Sequence, residues 1–118
     1  MKTLSWIAGA KQDFLTFPSE SIANIGYALH LAQMGEKHKD AKPLKGFGGA
    51  GVLEIVEDND GDTYRAVYTV KFAGIIYVLH AFQKKSKSGI STPPKEIEKI
   101  KSRLKRASAE YEKWQQEK

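Results

Sequence analysis

Arg65, His80 and the pair Lys84 and Lys85 are the residues of this chain whose types and spacing fit chemistry on a phosphate. Arg65 follows Tyr64 in TYRAVYTV, a stretch whose β-branched and aromatic content predicts a strand. A guanidinium in such a strand is costly unless it is paired, so Arg65 either meets a carboxylate or edges a polar cleft; both readings stand. His80 lies between Leu79 and Ala81, where it serves either as a hydrogen-bonded structural histidine or as a proton carrier. It sits two residues before the expected strand end at Phe82 and four before Lys84, so it can share a strand-end cleft with the lysines. Lys84 and Lys85 are read as the start of a loop that continues to Lys87. Alternation along a strand sends neighbouring side chains to opposite faces, so at most one of that pair enters the cleft.

Other apparent motifs fail on context. GFGGAG, residues 46 to 51, has the glycine spacing of a dinucleotide fingerprint, but that motif must follow a strand and open a helix, and this one precedes a strand. Asp58, Asp60 and Gly61 resemble part of a calcium loop, yet Val56 and Val67 stand where its first and last ligands belong, leaving a hairpin turn. His30, His38 and His80 fall on a helix, a loop and a strand without metal-ligand spacing, and no Ser-His-Asp signature is present, so a metal-independent mechanism without a cofactor is expected.

Composition narrows the class further. The chain has 118 residues, 41% hydrophobic and 28% charged, which suits one globular domain spanning 1–118. It has no cysteine, which excludes disulfides, thiolate metal sites and a cysteine nucleophile and allows a reducing compartment. No apolar run reaches the roughly 18 residues of a membrane span, so a soluble, cytoplasmic chain is expected. The net charge of +5 is uneven: residues 1–60 carry six Lys against eight acids, and residues 61–118 carry thirteen Lys and Arg against six. Nine of those cations fall between Lys84 and Arg106, a composition that fits either a polyanion-facing surface or a solvated helix.

The elements that must position these residues are legible from period and punctuation. Leu4 and Trp6 suggest a short first strand, Pro18 with Ser19 and Glu20 a helix start, and Ile22, Ile25, Leu29 and Ala32 its apolar spacing up to a stop at Gly35. The glycine-rich segment 35–51 reads as a loop. VLEIVE, TYRAVYTV and GIIYVLHAF then predict a three-strand antiparallel meander, the last strand being central because it is apolar on both faces. Thr92 before Pro93 and Pro94 predicts the cap of a last helix, with Glu96 and Glu98 at its positive end. Ile97, Ile100, Leu104, Ala107, Tyr111 and Trp114 form its apolar stripe, which should dock on the sheet. The expected fold is α+β, a small antiparallel sheet flanked by one or more N-terminal helices and a C-terminal helix.

With these elements in order, YRAVY (64–68), LHAFQKKSKSG (79–89) and TPPKEIEKIKSR (92–103), preceded by PLKGFGGAGVLEI (43–55), resemble the phage-derived HigB-like branch of the RelE/ParE toxin superfamily over the last two-thirds of the chain. The resemblance implies a toxin of a type II toxin–antitoxin system, an mRNA endoribonuclease acting on the ribosome by attack of the substrate's own 2′-hydroxyl and so inhibiting translation. It implies a cognate antitoxin, expected to be a helix-turn-helix protein, and the ribosome and mRNA as partners, with no membrane involved. Arg65 matches the family's strand arginine, Lys84 and Lys85 its basic pair, and His80 a position where this branch commonly has histidine. Lys45 is an added backbone contact on this resemblance, and Lys87, Lys95, Lys99 and Arg103, from the basic segment that runs through the last helix, are read as further RNA contacts. The chain departs from many relatives in two places. Strand 52–57 offers Glu54, Val56 and Glu57 where they carry basic residues, and 86–94 contains Ser86, Ser88, Ser91 and Thr92 but no aromatic. Two alternatives stay open: a gyrase inhibitor of ParE type on the same fold, and an RNA- or protein-binding module whose terminal helix does the work.

Overall fold

The apolar runs VLEIVE, TYRAVYTV and GIIYVLHAF become strands, and their assembly follows from where the turns let the chain reverse. The structure, a computed structural model, describes residues 1–49, 51–84 and 92–118. In chain order the elements are β1 (Thr3–Trp6), α1 (Ala10–Phe14), α2 (Ser19–Gln33), β2 (Ala41–Pro43), β3 (Val52–Asn59), β4 (Asp62–Thr69), β5 (Ile75–Lys84) and α3 (Pro94–Gln116). The strands form one sheet in the order β1-β5-β4-β3-β2. The meander β3-β4-β5 is antiparallel, as is β2 on β3, while β1 adds parallel to β5, so the sheet of this α+β fold is mixed.

Local chemistry explains the boundaries. Asp60 and Gly61 both take positive φ, 51° and 86°, the pattern of the two-residue turn that matches strand twist, and Thr63 Oγ1 donates to Asp58 Oδ1 at 3.0 Å beside it. The acidic cluster is thus the hairpin turn its spacing predicts. Helix α2 stops just before Gly35, whose φ of 83° lets the Glu36 N–H reach Leu31 O and the Gly35 N–H reach Ala32 O, satisfying carbonyls that the helix leaves open.

Three expectations need correction, and one element, α1, was not foreseen. The segment 35–51 contains β2, because Ala41–Pro43 pairs with β3 while Ala41 buries its side chain. Helix α1 has only five residues, too few to show a period, and it buries Ala10 and Phe14. Strand β5 runs on to Lys84, which is therefore a strand residue and not the start of a loop. Pro93, not Thr92, stands at the N-cap of α3, and proline has no side-chain acceptor to make a cap bond; the Thr92 hydroxyl accepts from Arg65 instead.

The sheet carries a core on each face. Under α1 and α2, Ile25, Leu29 and Ala32 pack with Ile55, Ala66, Tyr68 and Val78. Under α3, Ile100 and Ala107 pack with Val52, Val67, Tyr77 and Leu79, and Leu104, Tyr111 and Trp114 extend the stripe as its period predicts. The register between β4 and β5 slips at one place: Val67 pairs with His80 and Tyr68 with Val78, so Leu79 is an extra, bulged residue.

Candidate functional site

Because residues that pair across a sheet share a face, the register decides where the predicted residues point. Val67 and Arg65 of β4 face α3, and their partners His80 and Phe82 therefore do too, followed by Lys84 at the same spacing. Arg65, His80 and Lys84 thus lie on one face of the sheet, 4%, 2% and 7% exposed.

Arg65 finds the carboxylate that its burial demands. Its Nη1 donates to Glu54 Oε1 at 3.1 Å and to Thr92 Oγ1 at 3.2 Å, tying β4 to β3 and to the approach of α3. Glu54 is itself 4% exposed, so this is an ion pair shielded from water. Sequence reading missed Glu54 as a site residue, treating it as a lost cation. The signal was available: Glu54 pairs with Val67 and Arg65 with Val56, which makes the two charges diagonal neighbours on one face once the turn is fixed at Asp60 and Gly61. Lys84 belongs to the same electrostatic group. Burial lowers its pKa from the ordinary lysine value, the positive charge of Arg65 adds to that, and Glu54 opposes it.

His80 is held from both sides by α3. Arg103 Nη1 donates to the carbonyl of Leu79 at 3.0 Å and approaches His80 Nδ1 at 3.2 Å, while His80 Nε2 lies 3.0 Å from Glu96 Oε1. A guanidinium only donates, so Nδ1 is the acceptor and the ring proton sits on Nε2, donated to Glu96. The ring stacks on Phe82 with centroids 4.7 Å apart. Burial lowers the His80 pKa below its ordinary value; Glu96 works against this, and Arg103 and Lys99 add to it. Glu96, assigned by sequence only to the helix's positive end, is thus a second residue whose contact was missed, since nothing in spacing joins it to a strand 16 residues earlier.

Two clefts flank this group. The larger, about 660 Å³, lies between the glycine loop after β2 and the start of α3, where Lys45, Gly48, Glu54, Thr92 and Ile97 are among its walls. The smaller, about 300 Å³, borders β5 and is lined in part by Tyr64, His80, Glu96 and Lys99. Of the expected RNA contacts, Lys45 therefore lines the first cleft and Lys99 the second; Lys95 is exposed on α3, and Arg103 turns inward to β5. Lys85 and Lys87 lie outside the described residues.

The class defined by this fold and site is a one-sheet α+β protein that gathers arginine, lysine and histidine on the face beneath its last helix. The model of the family described as phage derived protein Gp49-like (DUF891) matches residues 12–105, and the chain belongs to that family. The family falls in the RelE-like toxin group, and its members are often the toxin of a toxin–antitoxin pair. A search of curated proteins found no match. No helix among the described residues is long and apolar enough to cross a membrane.

Proposed function

We propose that this Gp49-like protein is the toxin of a type II toxin–antitoxin system and an endoribonuclease that cuts mRNA on the ribosome in the cytoplasm, using neither metal nor cofactor. The observation that carries the reading is the gathering of Arg65, His80 and Lys84 on one face of the sheet, between two clefts. In this reading the 2′-oxygen of the RNA attacks the adjacent phosphorus and the bond to the 5′-oxygen breaks. The products are a 2′,3′-cyclic phosphate and a 5′-hydroxyl, with one proton taken from the nucleophile and one returned to the leaving oxygen. Such a reaction needs no protein nucleophile; it needs an in-line geometry and cations over the phosphate. Arg65, Lys84 and Lys85 supply the charge, and His80 carries a proton or positions the substrate. Lys45, Lys87, Lys95 and Lys99 contact the RNA backbone or ribosomal RNA, while Arg103, expected among those contacts, turns inward and instead holds His80 in position. A helix-turn-helix antitoxin holds the toxin in check by covering or distorting this face.

A second reading is favoured by a specific observation. Both ring nitrogens of His80 are engaged within the protein, and Arg65 is tied to Glu54. Such pairings serve equally in a toxin that does no chemistry, either a gyrase inhibitor of ParE type or a binding module. The deciding experiment is inducible expression in a bacterial host, with growth, bulk translation and mRNA 5′ ends followed over the first minutes. Growth arrest with new 5′ ends inside translated frames, lost in Lys84→Ala, supports cleavage. Arrest without new ends overturns it in favour of the non-catalytic reading.

A further inference from the structure

The glycine loop that fails as a dinucleotide motif forms a wall of the larger cleft, and the cleft's chemistry is specific. Gly46, Gly48 and Gly49 take φ of 94°, 70° and 131°, values that side-chain-bearing residues rarely adopt, so the loop's course depends on glycine. Leu44 and Ile97 supply apolar surface, and Lys42 and Lys45 bring positive charge to the lining. Into this setting comes the carboxylate of Glu54, a group that only accepts hydrogen bonds, itself 4% exposed and fixed on one side by Arg65. At about 660 Å³ the space falls within the roughly 300–1,000 Å³ usual for small-molecule sites.

We propose that this cleft is a nucleobase pocket for single-stranded RNA that prefers guanine, with Glu54 as the residue that reads the base. The inference rests on the ribonuclease reading for the source of the nucleotide. A ligand suited to the cleft has a flat apolar body, N–H donors for the carboxylate and an attached anion for Lys42 and Lys45. A cationic side chain of a protein partner satisfies the carboxylate but is repelled by the two lysines, whereas a nucleotide satisfies all three. Among the bases, guanine presents N1–H and the N2 amino group side by side, matching the two oxygens of a carboxylate. Adenine and cytosine each offer one amino group beside a ring acceptor. Uracil offers a single N–H flanked by two carbonyl oxygens, which the carboxylate repels. RNA recognition of this kind, through unstacked bases read on their Watson–Crick edges, is the usual route to sequence preference.

The test is titration of the full-length, isotope-labelled protein with GMP, AMP, CMP and UMP, and then with short single-stranded RNAs that contain or lack guanine. The amide resonances of Gly46, Gly48 and Gly49 are followed. The expected result is saturable movement of these amides, with GMP preferred over UMP by on the order of tenfold. Glu54→Gln should collapse that preference. Because Glu54→Gln also strips Arg65 of its charge partner, Ile97→Trp serves as the second variant, filling the cleft from its wall and abolishing binding of every nucleotide. Equal affinity for the four nucleotides overturns the proposal, as does silence of these amides towards all of them. The outcome is separable from that of the functional reading. Guanine preference in a protein whose induction leaves mRNA uncut removes the ribonuclease and keeps the pocket, while cut mRNA without base discrimination does the reverse.

Discussion

The two faces of the sheet are built by different rules. Beneath α1 and α2 the core is aliphatic and aromatic, and the Tyr68 hydroxyl is buried there without a hydrogen-bond partner among the described residues. Beneath α3 the apolar stripe shares its face with Glu54, Arg65, His80 and Lys84, all at most 7% exposed. Buried charges are a poor way to stabilise a fold, since apolar residues of like shape usually do as well or better. A chain that keeps an ordinary core on one side and crowds ionisable groups on the other is using the first to support the second.

The comparison can be broken most forcefully at Arg65. Arg65→Ala leaves Glu54 buried without its partner, and urea unfolding should show a loss of about 3–5 kcal/mol. The double variant Glu54→Leu with Arg65→Met should recover most of that stability and still fail to arrest growth. On the opposite face, Leu29→Ala should cost about 2–5 kcal/mol in the same measurement. There, toxicity should follow the folded fraction and return at lower temperature, which a charge-face variant does not do.

Proton linkage sharpens the contrast. Burial raises the Tyr68 pKa from 10.0 to about 12. The unfolded chain therefore loses this proton first, and stability falls as pH rises through that window. Tyr68→Phe should reduce the alkaline slope, leaving the part due to Tyr77, whose pKa burial also raises, and should change stability little at neutral pH, because the hydroxyl forms no bond that would be lost. His80 behaves in the opposite sense and to a smaller extent. Its folded pKa lies below 6.5, so the unfolded chain takes up the proton first and stability falls as pH drops below that value. Denaturation midpoints measured from pH 8 to pH 5 should show this acid slope, and His80→Gln should flatten it.

The elements of both faces were largely legible in the sequence, and the charge pairings of the second were not. Ile25, Leu29 and Ala32 announce their helix by spacing, and Asp60-Gly61 announces its turn by conformational preference. Both signals are local. Helix α1 was hidden by its length, and β2 by the glycines and lysines around it. On the α3 side, the partners of Arg65 and His80 come from other elements, and only a strand register and a docked helix bring Glu54 and Glu96 to them. The period of α3 says that it docks, but not that Arg103 reaches the carbonyl of Leu79.

That carbonyl belongs to the bulged residue, and the bulge has a consequence for comparing relatives. Up to Leu79 it is the odd-numbered residues of β5 that face α3, among them Tyr77; after it the even-numbered ones do, starting with His80. Two sequences identical around LHAFQK but differing by a single residue upstream within this strand would present opposite sets of side chains to the cleft. In an alignment of Gp49-like chains, the placement of one gap near Leu79 therefore carries as much information about the site as the identity of any residue in it.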